Sequence, residues 1–272
     1  MTPLVVVDAD VLGRRRTGDE TYVAELLREA ARLDHELRLA AITRHPSLVP
    51  VGIEPLRLPA VNQIARMAFA VPRLLRRLGP QLAHFVHALP LSCPCPAVLT
   101  IQDLSFELEP ELMSRRDRLV FRAAVPRSVR RAARILTGTE RTKRDLMRVY
   151  GTDPERIEVI PYGVDAVFRP ALDGPRNYLL VVGAVEARKD PLAALEAAER
   201  VGLPLVVAGP VRDHRIAGEL RQRGARVVGY VGIDDLARLY REAACLVVPS
   251  RLHGFRLPVL EAMTPGTPVV AR

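Results

Sequence analysis

Short runs of valine, leucine and isoleucine, too brief for helices, alternate along this chain with longer segments whose apolar residues recur at helical spacing. A strand that is apolar on both faces must be covered on both, so the alternation specifies parallel sheets flanked by crossover helices. Strands are expected at residues 4–8, 37–42, 97–101, 135–137, 157–160, 178–182, 205–208 and 246–248. Val23, Leu26, Leu27, Ala30 and Leu33 mark one face of a helix opening near residues 17–20, and Leu236, Leu239, Tyr240 and Ala243 mark another. Residues 161–176 hold three prolines and two glycines with little periodicity and read as a linker. The expected organisation is an α/β chain of two units, 1–173 and 174–272, with the boundary near Gly174.

Charge narrows the functional classes. The net charge is +9, which raises nucleic acid as a partner, but all except two of the 40 basic residues are arginine, spread along the whole length. Aromatic content is 4% with no tryptophan, so the interleaved rings that stack on bases are missing and no nucleic-acid partner is expected. The three cysteines form neither a zinc pattern nor a disulfide framework; Cys93, Cys95 and Cys245 read as core thiols in a reducing cytoplasm. Asp8 cuts off the first apolar run before it reaches signal-peptide length, and no stretch is long enough to span a membrane. The basic segment 64–78, with Arg66, Arg73, Arg76 and Arg77, reads as a surface helix kinked at Pro72, with peripheral contact to an anionic membrane as the alternative.

Two segments carry chemistry. In Pro249-Ser250-Arg251-Leu252-His253-Gly254-Phe255-Arg256-Leu257-Pro258-Val259-Leu260-Glu261, a strand, a glycine-containing loop and a helix start follow one another, with Pro258 in the first turn, where its missing amide costs nothing. Free amides and the positive end of a helix dipole make such a place a seat for a diphosphate. In Val181-Val182-Gly183-Ala184-Val185-Glu186-Ala187-Arg188-Lys189-Asp190, Arg188 and Lys189 fall on the loop at the carboxyl edge of the sheet, where two cations can neutralise a leaving diphosphate. His84 and His87 lie three apart, but a metal site would need further ligands, and none is expected. No glycine-rich dinucleotide fingerprint follows the first strand, since Val7-Asp8-Ala9-Asp10-Val11 is not one.

These segments resemble the donor-binding motifs of the family-4 retaining nucleotide-sugar glycosyltransferases, which have the GT-B fold of two Rossmann-like domains with parallel sheets. Arg16-Thr17-Gly18-Asp19-Glu20-Thr21-Tyr22 resembles that family's first-strand loop, and Thr100-Ile101-Gln102-Asp103-Leu104 the strand end that usually carries a His-Asp pair. Residues 139–146 and 160–165 resemble its pre-linker helix and linker entry. The resemblance implies transfer of a sugar from a GDP- or UDP-sugar to a glycan or lipid-linked acceptor hydroxyl, with retention and without a metal or other cofactor. Mannose is the favoured sugar. It implies donor-binding roles for Gly183, Arg188, Lys189, His253, Gly254, Phe255, Arg256, Leu257 and Glu261, the last on ribose hydroxyls. Gly18 and Asp19 are expected on the acceptor side, and Asp103, Gln102 and His253 at the reacting centre, in a cytoplasmic enzyme associated at most with the inner face of the membrane.

Three positions depart from the family pattern. Gln102 stands for the usual histidine, His253 for the first glutamate of the donor motif, and Arg256 for its second loop glycine. The chain also ends at Arg272, soon after the donor motif, so the second domain is expected to be incomplete, with helices missing from its sheet and apolar surface bared. These departures motivate an alternative, a catalytically disabled GT-B relative acting as a binding or assembly partner.

Overall fold

The computed structural model describes residues 2–14, 17–33, 36–58, 62–109, 115–170, 176–250 and 254–272. The chain forms two compact units, Met1–Pro161 and Tyr162–Arg272. The division falls ahead of Gly174 because Phe168, with Val164 and Val167, packs into the core of the second unit, its ring 5.6 Å from that of Tyr240. Part of the segment read as linker is therefore anchored structure.

The first unit holds seven strands: β1 (Leu4–Asp8), β2 (Arg38–Thr43), β3 (Glu54–Arg57), β4 (Leu82–Val86), β5 (Ala97–Thr100), β6 (Arg134–Thr137) and β7 (Ile157–Val159). They form one parallel sheet in the order β3-β2-β1-β4-β5-β6-β7. Its helices are α1 (Thr17–Arg32), α2 (Gln63–Ala65), α3 (Val71–Leu78), α4 (Ser105–Leu108), α5 (Arg115–Arg131) and α6 (Glu140–Tyr150). Side chains alternate across the strands. Val6 and Ile42 join a core with α3, α5 and α6, while Val7 and Ala41 join one with α1.

The second unit has β8 (Leu179–Val182), β9 (Leu205–Ala208), β10 (Arg226–Gly229), β11 (Cys245–Val248) and β12 (Val269–Ala271), parallel in the order β10-β9-β8-β11-β12. Its helices are α7 (Pro191–Val201), α8 (His214–Gln222), α9 (Ile233–Glu242) and α10 (Leu257–Met263). Leu179, Val181, Leu205 and Val207 pack against α7 and α8, and Leu180, Val206 and Ala208 against α9 and α10. Both faces of β8 and β9 are thus covered, so the expected baring of apolar surface does not hold there. Apolar exposure falls instead on β12, where Val270 is 63% exposed.

The basic segment also differs from the surface helix expected of it. Arg66 is buried, 1% exposed, because β1 ends in Asp8 and the next turn carries Asp10, two carboxylates that need a counter-charge. Its guanidinium pairs with Asp8, and its Nε lies 3.4 Å from Asp10. Burial alone would lower the Arg66 pKa, but the charges of Asp8 and Asp10 outweigh it and hold the guanidinium above its usual value. Arg44 and Arg14 also pair with Asp10, Arg44 through Nε at 2.9 Å. Ahead of Pro72 the helix widens into a π turn over Arg66–Ala70 before α3 begins. Proline has no N–H to donate to the preceding turn, and the wider turn accommodates that loss.

Candidate active site

The strand order of the second unit reverses between β8 and β11, and in open α/β sheets a ligand crevice lies beyond the carboxyl ends of the strands at such a point. Both predicted donor segments leave the sheet there, one from β8 and one from β11. Gly183, the first residue beyond β8, has φ 140°, and a Cβ on it would lie 3.6 Å from Lys189 Cε. Glycine therefore leaves room for the lysine stem to lie over the strand end. Gly209, beyond β9, approaches more closely still: a Cβ there would sit 1.9 Å from the Gly183 carbonyl oxygen.

Arg188 pairs with Glu186 at 3.1 Å, and a 3-10 turn over Ala187–Lys189 ends at Asp190, which adopts left-handed φ 49° and starts α7. Among the described residues no side chain caps the first turns of α7 or α10, whereas Asp213 caps α8 through the amides of Arg215 and Ile216. The two helices that begin at the switch point thus turn positive dipole ends to a ligand, although the first amides of α10 are already engaged, Leu257 on the Phe255 carbonyl at 3.0 Å and Val259 on that of Arg256 at 2.9 Å. A cavity of 230 Å³ opens beside them, lined by Asp190, Ala193, Val248, Pro249 and Ala271. A larger one, 450 Å³, lies at the opposite edge around Tyr178, Arg226 and Glu242, away from both helix starts and the described donor residues.

On α10, Glu261 is buried and its Oε2 accepts a hydrogen bond from the Tyr240 hydroxyl at 2.7 Å. Burial, then the Glu261 charge, raises the Tyr240 pKa well above its ordinary value, so the hydroxyl remains a donor. Thr267 donates to the Tyr240 carbonyl at 2.6 Å, tying the segment after α10 to α9. Phe255 packs on Tyr162 with ring centroids 4.8 Å apart, Leu257 opens α10 after Gly254, and Arg256 donates to the Arg272 carbonyl at 2.6 Å. His253 lies outside the described residues. Tyr240 is legible in the sequence only as a core position, because nothing in an apolar helix face announces which carboxylate its hydroxyl meets.

In the first unit the order reverses between β1 and β4. There Asp19, at the start of α1, meets His87, just beyond β4, with Oδ1 to Nε2 at 3.0 Å. His87 has φ 65°, a conformation a non-glycine residue adopts at a cost of about 1–3 kcal/mol. The sequence singles out His87 only as a metal-ligand candidate with His84, not as a partner of Asp19; the available signal for the pairing is a polar residue one position past a buried strand. Gln102 lies beside this pair, its Oε1 3.5 Å from where a Cβ on Gly18 would be, and its buried Nε2 has no hydrogen-bond partner among the described residues. Asp103 accepts from the Ser105 amide at 2.9 Å and so fixes the start of α4. Beneath them Thr100 bridges Tyr22 and His84, at 2.9 and 2.8 Å. Burial lowers the His84 pKa to about 4, so its ring is neutral, and the Thr100 hydroxyl is shared between His84 Nε2 and the Tyr22 hydroxyl. The two histidines face different partners, Thr100 for His84 and Asp19 for His87.

Comparisons with known proteins agree with this architecture. Residues 16–168 match the model of Glycosyltransferase Family 4, and residues 176–272 that of Glycosyl transferases group 1. The chain is 28% identical over 198 residues to the O-antigen chain mannosyltransferase B of Escherichia coli, covering 64% of this chain and 52% of that one. It is 33% identical over 172 residues to the D-inositol 3-phosphate glycosyltransferase of Acidothermus cellulolyticus, covering 52% and 38%. It therefore spans about half or less of the length of these relatives. Among solved structures, sucrose-phosphate synthase from Thermosynechococcus elongatus superposes with a TM-score of 0.77 at 18% identity, over 100% of this chain and 81% of that one, which shows a shared fold. With two parallel-sheet Rossmann-like units and a family match over more than half its length, the chain belongs to Glycosyltransferase Family 4 and has the GT-B fold.

Proposed function

We propose that this protein moves a sugar from a nucleoside-diphosphate donor, held by the second unit, to a hydroxyl of a glycan or lipid-linked acceptor held by the first, with retention at the anomeric carbon. The observation that supports the reading is that the Gly183–Asp190 and Gly254–Glu261 segments follow the two strands that flank one switch point, with a lysine and, among the described residues, two helix starts that no side chain caps. As the donor bond breaks, negative charge grows on the diphosphate. Lys189, Arg188 and the positive dipole ends of α7 and α10 oppose that charge, and Glu261, oriented by Tyr240, takes the ribose hydroxyls. Asp19, Gln102 and Asp103 serve the acceptor side.

GDP-mannose is the first donor to test, since one relative is named a mannosyltransferase. The reaction takes place in the cytoplasm at the inner membrane face, a reading supported by the exposed Ile64 and Phe69 beside the exposed Arg73, Arg76 and Arg77. Release of sugar from GDP-mannose and from UDP-glucose by the wild type and by Lys189→Ala tests the reading. Turnover lost in the variant supports it, and equal rates remove Lys189 from the mechanism. The disabled-relative reading is favoured by the side chain of Arg256 in a loop that the family fills with glycine. Activity that arises only on changing His253→Glu supports that alternative.

A further inference from the structure

The segment joining β4 to β5 crosses the sheet and is held at both ends. The Leu91 amide donates to the Met67 carbonyl at 2.8 Å, and the Leu91 carbonyl accepts from Arg127 and Arg131 at 2.9 and 3.0 Å. At the far end the Pro96 carbonyl accepts from the Ala83 amide at 3.1 Å. Between these anchors the chain bends at Pro94 and Cys95 and brings the Sγ atoms of Cys93 and Cys95 to 3.7 Å. Pro94 fixes its own φ, and Pro96 holds Cys95 to extended backbone, so the thiols have few conformations in which to separate. Both cysteines are half-buried, backed by the core of the first unit and open on their other side.

We propose that Cys93 and Cys95 form a redox-active dithiol that closes to an intramolecular disulfide by exchange with a low-molecular-weight disulfide. Two Cα atoms two residues apart around a bend are about 5–7 Å from each other, inside the span a disulfide bridges, so closure needs little backbone movement. Burial, then the neighbouring Cys93 sulfur, pushes the Cys95 thiol up to about 12, so Cys95 keeps its proton and Cys93, 3.7 Å away, is the attacking sulfur. The Cys93 thiolate attacks one sulfur of the small disulfide, forming a mixed disulfide and expelling one small thiolate. Cys95 then loses its proton to solvent and attacks the Cys93 sulfur, expelling the second. Two protein thiols are oxidised by two electrons, and one small disulfide is reduced to two small thiols. The pair lies at the amino end of β5, opposite the edge that carries Gln102, so its chemistry is separate from sugar transfer.

Folded chain incubated with oxidised glutathione, then denatured and alkylated with iodoacetamide, tests this by intact mass and peptide mapping. The reduced chain takes three labels, one for each free cysteine. After oxidation we expect a single label, on Cys245, with the loss of two hydrogen masses from the 93–95 peptide and full reversal by dithiothreitol. Cys95→Ser should trap glutathione on Cys93, and Cys245→Ser should still form the bridge. Three labels after oxidation of the wild type, a persistent glutathione adduct on it, or disulfide-linked dimers would overturn the proposal.

Discussion

His87 Nε2 lies 3.0 Å from Asp19 Oδ1, joining the residue just past β4 to the first turn of α1 across the point where the strand order of the first unit reverses. The imidazole is held in place at the expense of a left-handed backbone, φ 65°. His87→Ala and His87→Gly both remove the ring and differ only in Cβ. The glycine variant is expected to be more stable than the alanine variant by about 1 kcal/mol, measured by urea unfolding. Equal stabilities would mean the backbone relaxes once the ring is gone.

Among the described residues the Arg66 guanidinium is the main buried counter-charge for Asp8 and one of three for Asp10. Arg66→Ala leaves carboxylates buried without it, and the expected loss of stability is about 3–5 kcal/mol. Chemical denaturation of the variant at neutral pH checks this; a loss under about 1 kcal/mol would show that Arg44 and Arg14 suffice.

His84 makes folding depend on pH. Its folded pKa is lowered to about 4 by burial, against an ordinary value of 6.5. Between these values the unfolded chain binds a proton that the folded chain refuses, so stability falls as pH drops from about 6.5 and levels off near 4. The full contribution is about 3 kcal/mol. Comparing the pH dependence of stability in the wild type and His84→Asn isolates it, since the variant lacks this slope; parallel curves would place the effect elsewhere.

Gly209 is the tightest backbone approach at the donor edge. Its φ is 146°, and a Cβ added to it would lie 1.9 Å from the Gly183 carbonyl oxygen, so Gly209→Ala must push β8 and β9 apart at their ends. A loss of about 3 kcal/mol or more is expected, together with loss of donor turnover, because the displaced carbonyl begins the loop that carries Lys189. Thermal unfolding and the turnover assay read the two effects separately.

Much of this architecture is written in the hydrophobic pattern, for a physical reason. Strands such as β8 and β9 are buried on both faces, so their residues form unbroken apolar runs, and the loops beyond them hold the residues that family resemblance singles out. The edge strands β3 and β10 lack that signature. Glu54–Arg57 is largely exposed and contains Pro55, tolerated because an edge strand need not donate along its whole length, and Arg226–Gly229 alternates between exposed and half-buried. Leu33 matches the apolar stripe of α1 yet is 68% exposed, since the helix has ended at Arg32. Charge periodicity does not tell which arginine of an arginine-rich chain turns inward; for Arg66 that depends on Asp8 and Asp10, 58 and 56 residues earlier in the chain. The side-chain pairs His87–Asp19 and Tyr240–Glu261 depend in the same way on the three-dimensional sheet order.

The central claim is that the switch point of the second unit holds the diphosphate of a sugar donor. Calorimetric titration of GDP and UDP into the wild type and Lys189→Ala tests it most directly. The account predicts binding of one nucleotide by the wild type and a 10- to 100-fold weaker affinity in the variant, roughly the worth of one charged hydrogen bond. Failure of the wild type to bind either nucleotide, or the same affinity in both proteins, would contradict it.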